Sequence, residues 1–254
     1  MVYFAWSYFA DHTALTFNFI VQSLLVNGAY PHFWFLYLIA GLYLITPILR
    51  VLVAHADMKI LRYFILLWFI GVAAVPLFQL ITGFGVNGSL FLFGGYIGYF
   101  VSGLYLMKVH IRPKILYSVL LICIAWTIGG TWLMSFPFNY DGQYYFFYTL
   151  SANVVIAAVA IFLILSKFPA NWPANTNPRI GKIVHAISEN TLPIYLFHII
   201  ILLSLERGYF GFTLSLTKMN PVIEVPIATA ATLFTTLGLI LIMKKAPILK
   251  KLIG

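Results

Sequence analysis

The stretch from Leu61 to Thr82 reads LRYFILLWFIGVAAVPLFQLIT and carries one charged residue, Arg62, next to its start. At a rise of about 1.5 Å per residue a helix of that length reaches about 33 Å, enough to cross a hydrocarbon core about 30 Å thick. Lipid offers a backbone no hydrogen-bond partner, so a spanning run of this kind satisfies its own N–H and C=O groups by being helical. Comparable apolar runs fall at 33–52, 90–107, 115–134, 147–166, 191–206 and 222–243, which with 61–82 makes seven predicted spans. Two further apolar pieces, 1–9 and 17–26, are too short to cross and read as interfacial, re-entrant or the remnant of something longer. The predicted fold class is all-α, a polytopic transmembrane helical bundle. Composition agrees: of 254 residues, 62% are hydrophobic and 8% charged, whereas soluble domains carry roughly 25% charged residues. A water-soluble globule is excluded.

Fifteen Lys and Arg against six Asp and Glu give a net charge of +9. In a soluble chain that excess would point to nucleic acid; between apolar spans it follows the positive-inside rule, and no nucleic-acid partner is implied. Arg50, Lys59, Arg62, Lys108, Arg112, Lys114, Lys167, Arg179, Lys182, Lys244, Lys245, Lys250 and Lys251 fall on one side of the predicted spans. Only Arg207 and Lys218 fall on the other. The first side is predicted to be cytoplasmic, with the C-terminus inside and the N-terminus outside, in a multi-pass protein of the inner (plasma) membrane. No internal repeat and no long linker interrupts the chain, so 1–254 reads as a single membrane domain. The connection 167–190 is rich in Pro and Asn and is predicted to be an ordered loop on the inner surface, with Trp172 at headgroup depth. Asn87-Gly88-Ser89, Phe136-Pro137 and Asp141-Gly142 read as turns.

The one cysteine, Cys123, lies inside an apolar run, so neither an intrachain disulfide nor a cysteine-based metal site is available. His55, His110 and His185 share no metal-ligand spacing, and no metal is predicted. Gly94, Gly98 and Ser102 recur every four residues, which bares one helix face for close approach by a neighbour.

Ionisable groups inside a bilayer are costly, and His198 sits near the middle of the predicted span 191–206. Tyr195 lies three residues earlier on the same face, and Glu206 eight residues later, offset by about 80°. These groups fit a proton path toward the outer surface; a neutral imidazole bonded to a neighbouring helix fits equally well. His32 stands at the outer mouth of the first confident span, followed by Phe33-Trp34-Phe35. It reads either as a base for a substrate arriving from outside or as a wet residue in an interfacial aromatic belt. Arg50, at the inner end of the same helix, reads as a phosphate ligand or as a snorkelling anchor. Glu224 and the Glu206-Arg207 pair read as a solvated outer rim.

The string His32-Phe33-Trp34-Phe35-Leu36, running into Tyr43-Leu44-Ile45-Thr46-Pro47-Ile48-Leu49-Arg50, resembles the mid-chain signature of the membrane-bound acyltransferase 3 family. Asn190-Thr191-Leu192-Pro193-Ile194-Tyr195-Leu196-Phe197-His198 resembles that family's late helix, which ends in Tyr-Leu-x-His. Within that family the chain resembles the bacterial O-acetyltransferases of surface glycans. The family is described as ten helices with both termini cytoplasmic, and its principal histidine follows an arginine in the first helix. Residues 1–31 hold no arginine, so the resemblance implies an N-terminally truncated member covering the latter two-thirds of the fold, with little transferase activity of its own.

The implied reaction moves an acyl group, usually acetyl, from acetyl-CoA or another acyl-CoA to a hydroxyl of a cell-surface glycan or lipid-linked sugar. A histidine near pKa 6.5 takes the proton of the attacking hydroxyl, and nearby donors stabilise the oxyanion. On this reading His198 and His32 are the catalytic candidates, with Tyr195, Trp34, Tyr43, Arg50 and Glu206 lining the substrate path. A transporter or flippase of a lipid-linked sugar is the competing class, but it calls for two halves with matching broken helices, and no such pair is visible. A retinal-binding receptor would need a lysine in the last span, and 222–243 holds none. Cysteines placed in the 108–114 turn are expected to react with an impermeant thiol reagent only from the cytoplasmic side; labelling from the periplasm would overturn this topology.

Overall fold

A computed structural model describes residues 2–27, 30–85, 95–136, 141–169, 177–214 and 220–246. In chain order the helices are α1 (Val2–Phe9), α2 (Phe17–Gln22), α3 (Trp34–His55), α4 (Met58–Phe69), α5 (Val75–Thr82), α6 (Ile97–Leu106), α7 (Pro113–Ser135), α8 (Ala152–Leu165), α9 (Pro178–Glu189), α10 (Thr191–Glu206) and α11 (Pro221–Met243). No strand occurs among the described residues. The protein is an all-α polytopic bundle. Among the described residues, five stretches are long and apolar enough to cross a membrane: Pro31–His55, Met58–Thr82, Pro113–Ser135, Tyr144–Leu165 and Pro221–Met243.

Two of the seven predicted spans take a different form. The described helix within 90–107 is α6, only ten residues long. The span 191–206 is one limb of a bent pair, in which α9 and α10 meet at 84° around Asn190, and counting that pair gives a sixth crossing. The predicted inner loop 167–190 therefore contains a helix. Asn177-Pro178 starts it: the Asn177 side chain accepts from the backbone N–H groups of Arg179 and Ile180 at 3.0 and 3.4 Å, and Pro178 fills a position where no N–H is needed. The dipeptide is a helix cap, not a turn. Trp172, Asn87-Gly88-Ser89, Pro137, Gly94, Lys218, Lys250 and Lys251 lie outside the described residues.

The chain forms two compact units, Pro31–Phe168 and the combination of Met1–Tyr30 with Pro169–Gly254. In the first, α4 and α5 are one span interrupted by a π-helical turn at Ile70–Ala74. Pro76 supplies no backbone N–H to the preceding turn, and a wider turn absorbs that defect. The Ala73 carbonyl on this turn accepts from the Tyr145 hydroxyl at 2.9 Å, and the same hydroxyl accepts from the N–H of Ala152 at 3.1 Å. One phenol thus ties the π turn to the start of α8. Trp68, 1% exposed, donates its indole N–H to the Gly95 carbonyl at 2.7 Å and lies against Gly98 of α6. α7 packs along α8, where the fully buried Asn153 donates to the Thr127 hydroxyl at 2.8 Å and the Phe146 carbonyl at 2.9 Å.

In the second unit α10 packs along α11 and against α9. Tyr3 of α1 reaches α10 by donating to the Leu196 carbonyl at 2.8 Å. Beyond the end of α10, Arg207 donates to Asp11 at 2.6 Å and to the Ala10 carbonyl at 3.1 Å, with its guanidinium carbon 5.4 Å from the centre of the Trp6 ring. Arg207, expected beside Glu206 on a solvated outer rim, is thus paired with Asp11.

The small-residue face of α6 is confirmed at Gly98 and Ser102, both buried. A methyl group on Gly98 would overlap the Trp68 indole, whereas one on Gly103 meets nothing within 4 Å. Gly98→Ala is expected to destabilise the protein by about 1–3 kcal/mol through overpacking. Gly103→Ala is expected to be neutral or stabilising by up to about 1 kcal/mol through helix propensity. Melting in detergent, followed by circular dichroism, checks both.

Candidate functional site

α10 brings His198 to its wall because Ile194, His198 and Leu202 recur at intervals of four residues and so share one helix face. That face borders a cavity of about 310 Å³ whose opposite wall includes Ala228, Thr229 and Thr232 of α11. His198 is half-buried there, and its Nδ1 lies 2.7 Å from the carbonyl oxygen of Tyr195. A carbonyl only accepts, so Nδ1 carries the hydrogen, and in the neutral ring Nε2 is the nitrogen with the lone pair. The Tyr195 ring stands 5.8 Å from the imidazole, centre to centre. The predicted pairing of Tyr195 with His198 is therefore present as a ring contact and a backbone hydrogen bond. Glu206 is two turns further along α10 and does not line the cavity.

The other predicted residues belong to the unit Pro31–Phe168. His32 occupies a 3₁₀ turn, Pro31–Phe33, that leads into α3, with its ring 4.3 Å from that of Phe33. Trp34 opens α3 and packs at 5.6 Å against Tyr96. Tyr43, 71% exposed, and the exposed Arg50 lie two turns apart on α3. None of the four lines the cavity bordered by Trp68, Ser102, Tyr105 and Val155 among the described residues of that unit. At the end of α8, Lys167 donates to the Ile111 carbonyl, which brings it to the basic turn holding Lys108, Arg112 and Lys114.

The contribution of α11 was not visible in the sequence reading. Glu224, Ala228, Thr232, Thr236 and Ile240 are all buried and recur every four residues. Glu224, 2% exposed, is therefore not the solvated rim residue expected from its place near the end of a span. It lies in the first turn of α11, where the helix dipole favours a carboxylate. The period-four row of small and polar residues in the last apolar run was the available signal.

Thr232 is 7% exposed, and its hydroxyl has no hydrogen-bond partner among the described residues. A buried unsatisfied hydroxyl costs about 1–3 kcal/mol. Thr232→Val, which keeps the shape and removes the hydroxyl, is expected to leave stability unchanged or raise it by about 1 kcal/mol, read as a higher midpoint in detergent melting. A fall of that size would instead assign the hydroxyl a structural partner.

A sequence-family model described as an acyltransferase domain matches residues 1–243. No curated protein and no solved structure matches the chain.

Proposed function

With that match spanning nearly its whole length, the chain belongs to the acyltransferase 3 family, and from this premise we propose that it moves an acyl group from a coenzyme A thioester to a hydroxyl of a cell-surface glycan or lipid-linked sugar. The observation that carries the reading is His198, an imidazole with a defined tautomer on the wall of a largely apolar cavity, in a chain of acyltransferase ancestry.

Nδ1–H of His198, held on the Tyr195 carbonyl, fixes the ring and leaves Nε2 as the base. Nε2 takes the proton of the sugar hydroxyl as its oxygen bonds to the thioester carbon. The carbonyl electrons move onto oxygen, then return as the carbon–sulfur bond breaks, and the proton passes from His198 to the departing thiolate. The apolar lining excludes water, which would otherwise compete as the acceptor. The excess of basic residues in the loops that hold Lys108, Arg112 and Lys114 and at the C-terminus supports a cytoplasmic location for them by the positive-inside rule, in a bacterial inner-membrane protein supplied with its donor from the cytoplasm. His32 and Trp34, at the other end of α3 from Arg50, would then meet an acceptor arriving from outside.

Transfer of radiolabelled acyl groups to glycan in proteoliposomes tests the assignment. His198→Ala and His198→Gln are expected to lower kcat by about 100-fold or more, the usual contribution of a positioned base. Turnover unchanged in both variants would remove His198 from the chemistry.

A further inference from the structure

The cavity between α10 and α11 has a shape that acetyl transfer alone does not require. Its α10 wall runs from Ile194 to Leu202 and its α11 wall from Val225 to Leu233, nine residues each, or about 12 Å of helix at a rise of about 1.5 Å per residue. It is thus a trough along the helix pair rather than a spot around His198. Its volume, about 310 Å³, is about twice that of an apolar cavity known to hold benzene, which corresponds to a chain of about six to ten carbons. A hydrocarbon chain from a bilayer lipid would need no polar group in such a trough. Three polar residues stand in its walls: His198, the exposed Thr229, and Thr232 with a buried hydroxyl that lacks a partner among the described residues. An acyl chain attached to a carbonyl satisfies both features, because the chain fills the apolar length and the carbonyl oxygen accepts from the hydroxyl.

We propose that the α10–α11 trough is an acyl-chain site selective for groups longer than acetyl, with the Thr232 hydroxyl donating to the acyl carbonyl beside His198. The inference rests on the transferase reading above and adds to it the class of acyl group. Thr229, exposed on the same wall, is the position from which a larger side chain fills the trough without entering the core.

The full chain in nanodiscs, offered acetyl-, hexanoyl- and decanoyl-CoA, gives the test. The wild type is expected to show a kcat/KM for hexanoyl-CoA at least tenfold above that for acetyl-CoA, and Thr229→Phe to reduce that ratio at least tenfold. Thr232→Val is expected to weaken binding of a non-hydrolysable hexanoyl-CoA thioether ketone about tenfold while leaving binding of hexane-substituted CoA, which lacks the carbonyl, unchanged. Independently of turnover, a decanoyl-CoA carrying a terminal diazirine is expected to label peptides within 191–243, and a phospholipid with the same diazirine is not expected to displace that label. Acyl transfer with an unaltered chain-length ratio in Thr229→Phe, or label confined outside 191–243, overturns the trough assignment and leaves the transferase reading standing. Absence of transfer from every thioester, both here and in a longer family member with the same Tyr-Leu-x-His motif, overturns the transferase reading, and the position of the label then decides the trough by itself. Displacement of the label by the phospholipid overturns the proposal in favour of an ordinary lipid groove.

Discussion

Hydrocarbon supplies no hydrogen bonds, and that constraint organises nearly every polar contact in this chain. Thr46, Thr82, Thr127, Ser204 and Thr236 each turn the hydroxyl back onto the carbonyl four residues earlier, at 2.6–2.9 Å. A helix can carry such residues into lipid because it already holds the acceptor they need. Against that background the hydroxyl of Thr232, in a wall that also carries His198, is one of three, with those of Ser102 and Thr131, for which the described residues supply no partner.

The same constraint explains where the helices break. A π turn follows from proline inside a span, and the Tyr145 hydroxyl donates to the Ala73 carbonyl on that turn. At the corner between α9 and α10, the buried Asn190 donates its amide to the Ala186 carbonyl at 2.6 Å. At these two interruptions of the helical ladder a named side chain bonds to the backbone. These are also the sites where backbone direction changes, so the polar residues that repair the ladder also set the geometry of the helix pairs.

Much of the fold was legible because long apolar runs admit only one solution in lipid, as at 61–82, 115–134 and 222–243. The small-residue face of α6 was legible too, since spacing of four places Gly98 and Ser102 on one side of any helix. The helix α9 was not, because Asn177-Pro178 has the same composition whether it caps a helix or turns a loop, and only the bonds to Arg179 and Ile180 separate the two. Glu224 was misread for a related reason. Distance from the end of a span is a one-dimensional measure, whereas burial depends on which face of α11 meets α10.

The sequence by itself determined the helical class, the asymmetry of basic loops and the motifs that point to acyl transfer, because hydropathy, charge and local residue patterns are written along the chain. Tertiary structure alone decided which residues share a wall. It set His198 opposite Thr229 and Thr232, on two helices whose approach depends on side-chain packing, and it held Arg207 on Asp11, nearly two hundred residues earlier in the chain. Contacts of that separation depend on how whole helices pack, and no local pattern of residues encodes that packing in a form that can be read along one dimension.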